Sequence, residues 1–335
     1  MTEIEARLTD LMAQFKDQNV IRRKDYRKFL LYSVITHSTA FAGSVMTEMD
    51  NQLLFDEGVL VNGRLQVDKL MNLDLKHAYD EMMKMAIKHR DLSFEMLWEL
   101  ASLVMRNTGT VYNTKSGPFN SNTGYFRRFN ISADFGSRPY PTYQNLGAAL
   151  DSFCTDINSA RARIPASKVA ESYKMSFDAC LRLIDVYPWA DGNGRMARLI
   201  MNYLQIERGL IPSFVDVRMK SEFFKAQVAS RDSGNMEQFE NFMMEQHSIY
   251  LQKTMEHYMR TKETEDGAVT EVRLTKRETA VMKQIKAGRN FTMTEIADRV
   301  GVLPHTVKRY LNHLQQMGMV EWVGSRKDGH WVAKI

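Results

Sequence analysis

Residues 187–198 read Tyr-Pro-Trp-Ala-Asp-Gly-Asn-Gly-Arg-Met-Ala-Arg, an order that suits the binding of a phosphate chain. Gly192, Asn193 and Gly194 allow a tight turn and a close backbone approach that larger side chains would obstruct. If a helix begins at this turn, its first N–H groups lack helical partners and point at an incoming anion. Arg195 and Arg198 stand three residues apart on one helix face, so both guanidinium groups could reach the same polyphosphate. Asp191, just before the glycines, is placed to hold Mg²⁺ between phosphates. Tyr187 opens the stretch, and Pro188 predicts extended backbone at Tyr187. A lone Gly-x-Gly is most often a plain turn, and an arginine pair most often a solvated face. Together and in this order they point to a nucleoside triphosphate.

Such a turn needs helices to carry it, and most of the first 260 residues read as helix. Ala170–Val186 and Glu95–Met105 place apolar residues at three- and four-residue spacing, and prolines are few, which suits long helices. Residues 108–143 differ, being rich in Gly, Asn, Ser, Thr and Pro. Within them Tyr125–Ile131 and the stretch up to Tyr140 could pair as a short hairpin, and a loop of this length points to function or disorder. Residues 261–270 are polar and read as a linker. Beyond them the pattern is helix, helix, turn, helix, then strand-like alternation over Val320–Ile335 with a hairpin turn at Asp328-Gly329. The expected fold is mainly α, with a domain over 1–260 and a small second domain over 271–335.

The chain has 335 residues, 44% hydrophobic and 25% charged, enough for one large core and a small second one. No apolar run reaches the roughly 18 residues of a membrane span. The first residues are acidic rather than apolar, so no secretory signal is expected. Cys154 and Cys180 lack disulfide-framework or metal-ligand spacing, which fits a reducing, cytoplasmic setting and disfavours secreted roles. From residue 268 onward twelve basic residues face six acidic ones. The tail thus carries the positive charge, and an anionic partner is expected for that module rather than for the whole chain.

The 187–198 stretch resembles the Fic-domain signature His-x-Phe-x-Asp/Glu-Gly-Asn-Gly-Arg-x-x-Arg, with Tyr187 at the histidine position and Trp189 at the phenylalanine. The resemblance extends over most of residues 30–245. Ala170–Val186 is similar to the helix before the motif, Leu199–Pro212 to the helix after it, and Met236–Met244 to a late Phe-rich helix. Gly124, Tyr125, Phe126 and Arg127 resemble the entry to a β-hairpin flap that docks a target segment by strand addition. The resemblance implies a helical Fic-type core that transfers AMP from ATP to a protein hydroxyl, with Mg²⁺. It implies Asp191 for the metal, Asn193 with the backbone of Gly192 and Gly194 for an anion hole, and Arg195 for the phosphates. Arg198 would take the γ-phosphate.

Two departures bear on that activity. The family's histidine takes the proton from the attacking hydroxyl, a task suited to a group titrating near neutrality. An unperturbed tyrosine titrates near pH 10, so only about one in a thousand is ionised at pH 7. Tyr187 therefore predicts a scaffold impaired in transfer. The remaining readings are a phenol activated by nearby cations, a phenol that itself accepts AMP, and a plain filler of the histidine's space. Ser38–Ser44 resembles the family's inhibitory helix, in which a glutamate pairs with the second motif arginine. Ala42 stands at that glutamate's position and cannot accept such a bond, so Arg198 is expected to be free for ATP. Glu48, six residues on, is a poor substitute. A buried amphipathic helix is the alternative reading of this stretch.

Residues 291–333 look like a winged helix-turn-helix. Thr294 is the expected cap, Gly301 the turn and Thr306–Met317 the second helix. His305, Thr306, Lys308 and Arg309 would reach DNA from that helix, and Arg326 and Lys327 from the wing. Protein contacts or homodimerisation are the alternative use. The leading reading is an ATP- and Mg²⁺-binding Fic scaffold acting on an unidentified protein target. The rival is a non-catalytic, nucleotide-responsive DNA-binding regulator.

Overall fold

The helix that follows the glycine turn, Asn193–Glu207, is buried on nearly every side. Met196, Leu199, Ile200, Met201 and Leu204 supply its apolar surface, and a helix apolar all round belongs inside a core. Its polar residues are satisfied in place. Asn202 donates to the Ser213 carbonyl at 2.8 Å, and Gln205 donates to the hydroxyls of Ser176 and Ser213 at 2.9 and 2.8 Å. Buried polar groups without such partners would oppose folding.

The computed structural model describes residues 2–59, 63–115, 117–132, 138–267, 274–287, 291–316, 319–324 and 329–334. The chain divides into two units, Met1–Met259 and Arg260–Ile335. In order, the helices are α1 (Glu3–Asp17), α2 (Lys24–Ala40), α3 (Glu48–Glu57), α4 (Gln66–Ile87) and α5 (Phe94–Val104). The strands β1 (Val111–Thr114) and β2 (Gly117–Asn120) follow, then α6 (Leu146–Arg163), α7 (Val169–Val186), α8 (Asn193–Glu207), α9 (Lys220–Ser233) and α10 (Glu237–Gly267). α7 and α8 form the central pair; α1 and α6 pack on α7, while α2, α4 and α5 pack on α8. Local chemistry sets several starts: Thr2 with Glu5 and Thr47 with Asp50 make reciprocal caps, and Ser93 caps α5.

Among its described residues this unit is mainly helical with one small antiparallel hairpin, and that hairpin is not where the sequence placed it. β1 and β2 pair Val111 with Asn120 and Thr114 with Gly117, upstream of the expected Tyr125–Tyr140 pairing. Residues 124–132 lie outside any strand, and 133–137 lie outside the described residues. The physical reason is at hand: the side chain of Arg127 and the ring of Phe126 turn into the protein rather than alternating along a ladder. The expected linker is also partly helix, because α10 continues to Gly267; residues 268–270 are outside the described set.

The second unit holds α11 (Lys276–Lys286), α12 (Met293–Val300), α13 (Pro304–Gln316), β3 (Val320–Val323) and β4 (His330–Ala333). Val281, Ile285, Ile296, Val307, Leu311 and Leu314 close its own core. Thr292, not Thr294, caps α12, since its hydroxyl reaches Glu295 N–H while the Glu295 carboxylate accepts from Thr292 N–H at 2.7 Å. Gly301 ends α12 at φ 69°, the left-handed geometry a glycine accepts without strain. β3 and β4 pair Trp322 with Trp331, ring to edge at 5.4 Å. Among the described residues, no helix is long and apolar enough to cross a membrane.

Candidate functional site

Tyr187 closes α7 with φ 47° and ψ 59°. Extended backbone was expected from Pro188, and the observed left-handed turn corrects it. The cause is the helix end: Tyr187 N–H still bonds to the Leu183 carbonyl at 3.1 Å, and the next residue must leave the helix sharply. Arg127 holds the chain in that shape. Its Nε donates to the Tyr187 carbonyl at 2.8 Å, its backbone N–H to the Pro188 carbonyl at 2.9 Å, and its two terminal nitrogens to Phe129 and Pro141 carbonyls at 2.9 and 2.5 Å. Arg127 is only 2% exposed, and burial lowers its pKa. Its side chain acts as a clamp between two loops.

The Tyr187 ring lies flat on Tyr140, centroids 4.3 Å apart and planes 18° apart. The Arg231 guanidinium sits 4.4 Å from the centre of the Tyr140 ring and 2.9 Å from the Asp185 carboxylate. A cation over the π face adds to this stack. Tyr187 thus belongs to a ladder of aromatic and cationic groups on the flank of α7.

After Tyr187 the chain turns into α8. Trp189 is buried, donating from Nε1 to the Gly124 carbonyl at 3.0 Å and packing 5.8 Å from Phe126. The Asn193 side chain brackets Trp189, accepting from its N–H at 3.0 Å and donating to its carbonyl at 2.9 Å. Asn193 therefore shapes the turn with its amide. Gly192 begins α8 at φ 81° without a side-chain cap. A methyl group there would come within 2.8 Å of the Met105 sulfur, so both conformation and space demand glycine. Asp191 stands half exposed at the mouth, accepting from Gly192 N–H at 2.5 Å and 3.8 Å from Arg195 Nη2.

The two motif arginines point to different partners. Arg195 faces the end of α5, donating to the Val104 carbonyl at 3.4 Å and to the Met105 sulfur at 3.0 Å. The buried Asp74 carboxyl nearby is pushed up by burial while holding Asn107 through 2.6 and 2.8 Å bonds. Arg198 faces the end of α2. Its Nε donates to Ser38 Oγ at 3.0 Å and its Nη2 to the Ser38 carbonyl at 2.8 Å, and it lies 5.0 Å over the Phe41 ring. Burial pushes its pKa down to about 10, so it stays charged at neutral pH.

Arg198 is therefore not free, contrary to the expectation drawn from Ala42. α2 ends at Ala40, and Ala42 is exposed in the turn beyond it. The last turn of the helix substitutes for a carboxylate: a carbonyl end is a partial negative charge, and it attracts cations. Lys220 serves the same end, donating to the Phe41 carbonyl at 3.0 Å. Glu48 is occupied elsewhere, accepting from Ser33 at 2.5 Å and lying 3.7 Å from His37.

The structure thus brings Tyr187, Asp191, Gly192, Asn193, Gly194, Arg195 and Arg198 to one turn, with Gly124, Phe126 and Arg127 behind it. Tyr125 stacks outward on Trp98 at 5.7 Å. Tyr140 and Arg231 were missed as participants; a tyrosine between two prolines was the available signal for the first, and the sequence around Arg231 offered none. In the second unit His305, Lys308 and Arg309 are exposed on α13 and Thr306 is half-buried. Arg326 and Lys327 lie outside the described residues.

Residues 91–205 match the Fic/DOC family. That stretch runs from just before α5 to near the end of α8 and so includes the glycine turn. The protein adenylyltransferase fic-1 of Caenorhabditis briggsae is 22% identical over 284 residues, covering 83% of this chain and 51% of that protein. The protein adenylyltransferase Fic of Drosophila melanogaster is 21% identical over 261 residues, covering 77% and 48%. The chain spans about half the length of these curated relatives. Among solved structures, Fic-1 from C. elegans superposes with a TM-score of 0.62 at 17% identity, over 78% of this chain and 73% of that one. A Fic family protein from Desulfovibrio desulfuricans superposes with a TM-score of 0.59 at 14% identity, over 100% and 97%. The Fic fold is shared, and the relation to adenylyltransferases is distant.

Proposed function

We propose that the Fic domain binds a nucleoside triphosphate with Mg²⁺ at the start of α8, and that it transfers AMP to a protein hydroxyl poorly because Tyr187 replaces the general base. The observation that carries this reading is the uncapped, glycine-led start of α8 with the half-exposed carboxylate of Asp191 at its mouth. Helix-terminal N–H groups satisfy phosphate oxygens. Mg²⁺ is commonly held by one or two carboxylates plus phosphates, so a single aspartate suits it. The bound ion would neutralise charge on the phosphates. Arg195 and Arg198 add positive potential from beneath the turn, and Asn193 and Gly192 fix the backbone that meets the ligand. Full γ-phosphate contact by Arg198 requires it to leave Ser38, so α2 competes with the nucleotide. Tyr187 lies against Tyr140, which favours a filler over an activated phenol.

The test is labelling with α-phosphate-tagged ATP and Mg²⁺, with Tyr187→His alongside. Little label on other proteins and a marked gain on reversion are expected. Equal labelling by both would sink the impaired-base reading. Label confined to the chain itself and lost in Tyr187→Phe would replace it with self-modification.

The second unit favours a further reading, as a winged helix-turn-helix that binds DNA. Support comes from the three-helix core followed by a hairpin, and from His305, Lys308 and Arg309 exposed near the start of α13. Duplex binding by the full chain should weaken steeply with salt and fall in Lys308→Glu/Arg309→Glu. No binding at low salt would remove it.

A further inference from the structure

A cleft of about 510 Å³ opens on the far side of the Tyr187–Tyr140 stack, within the size range of ligand sites. Its floor is aromatic and apolar, with Tyr140 and Phe153 among its lining residues, and its rim is basic. Three guanidinium groups line it, Arg138, Arg182 and Arg231, against one carboxylate, Asp185.

The three arginines are differently held. Arg231 is fixed and 3% exposed, donating to the Arg138 carbonyl at 2.5 Å and paired with Asp185 at 2.9 Å. Its charge is thus largely met by Asp185. Arg182 keeps a third of its side chain at the surface and pairs at 2.6 Å with Asp156, itself half exposed and screened by water. Arg138 is exposed. At the rim, therefore, Arg138 is exposed and Arg182 is held only by a water-screened surface pair, so an incoming anion meets these two cations first. Guanidinium groups engage carboxylates through paired, charge-assisted bonds, and Arg with Tyr is a composition typical of interface anchors.

We propose that this cleft docks an acidic segment of a protein partner, with aspartate or glutamate side chains between Arg138 and Arg182. The partner's being protein rests on the reading of the Fic domain as directed at protein hydroxyls; the anion preference rests on the cleft alone. Because Tyr140 also stacks on Tyr187, a segment seated here lies beside the motif. Arg138 and Arg182 then select targets by charge.

The test is fluorescence anisotropy on the full chain at low salt with a labelled peptide Asp-Glu-Leu-Asp-Glu, and with its Asn-Gln-Leu-Asn-Gln counterpart. The acidic peptide should bind and the neutral one should not. Arg138→Glu/Arg182→Glu should weaken acidic-peptide binding at least tenfold while ATP affinity, measured by calorimetry on the same variant, stays unchanged. Inorganic phosphate at matched ionic strength should displace the peptide only weakly; displacement at stoichiometric phosphate would show a small-anion site and overturn the proposal. Peptide binding unchanged in the double variant, or absent in the unaltered chain, would overturn it too. Loss of ATP binding in Asp191→Ala with peptide binding retained keeps the cleft separate from the nucleotide reading. If the unaltered chain binds peptide but no ATP, only the nucleotide reading fails.

Discussion

Ser38, and not Ala42, holds the second motif arginine. Ser38 holds Arg198 through its hydroxyl and its carbonyl, 3.0 and 2.8 Å away, while Ala42 offers nothing. Ser38→Ala removes one bond to a charged group and should lower stability by about 1–3 kcal/mol in denaturant titration. The same change should raise ATP affinity, because one competitor for Arg198 is gone. Ala42→Glu should do the opposite, a carboxylate being a stronger competitor than a carbonyl. Calorimetric affinities unchanged in both variants would show that α2 and the phosphate do not compete. The glycines, Asp191 and the arginine pair were legible in the sequence because spacing along one helix fixes their neighbourhood. The hold of Ser38 on Arg198 was not, since it joins residues 160 positions apart and depends on where a helix ends.

At the scale of elements, the α7–α8 turn is built by fit as much as by conformation. Gly192→Ala meets the Met105 sulfur at 2.8 Å in a left-handed conformation, and roughly 1–2 kcal/mol of destabilisation is expected. Gly124→Ala should be worse: its methyl would lie 2.5 Å from the Trp98 carbonyl and the Ser102 N–H, both main chain and unable to yield. Thermal melts of the two variants should rank in that order. Arg127→Met strips three carbonyls of their donor. At about 1–3 kcal/mol for each buried group left unmet, it should exceed either glycine change. Cap and turn signals revealed the helix-turn-helix of the second unit, and helix periodicity revealed α5 and α7. It misplaced the hairpin, because a Tyr-Phe-Arg run rich in strand formers is here spent on packing against Trp98, Trp189 and the carbonyls of two loops.

At the scale of the molecule, the core stores two opposed responses to pH. His247 is buried with Nε2 2.9 Å from the Tyr173 hydroxyl, and burial pushes its pKa down to about 3. The unfolded ring titrates near 6.5, so the unfolded state binds more protons below that point, and stability falls as pH drops from about 6.5 towards 3. Asp178 works the other way. Burial, then Glu240, hold its carboxyl well above the usual range. Its contribution is complete below about pH 4 and is lost as pH rises through neutrality. Urea midpoints across pH should show a shallower acid limb in His247→Gln and a flatter rise-side loss in Asp178→Asn. Unchanged profiles would place the titrating groups elsewhere. The clamp at Arg127 has a consequence for the history of such a chain. It fixes the main chain at position 187 through a carbonyl, whichever side chain stands there. Tyrosine and histidine codons differ by a single base. A lineage carrying this gene is therefore one point mutation from a histidine at that position, with the scaffold around it already in place.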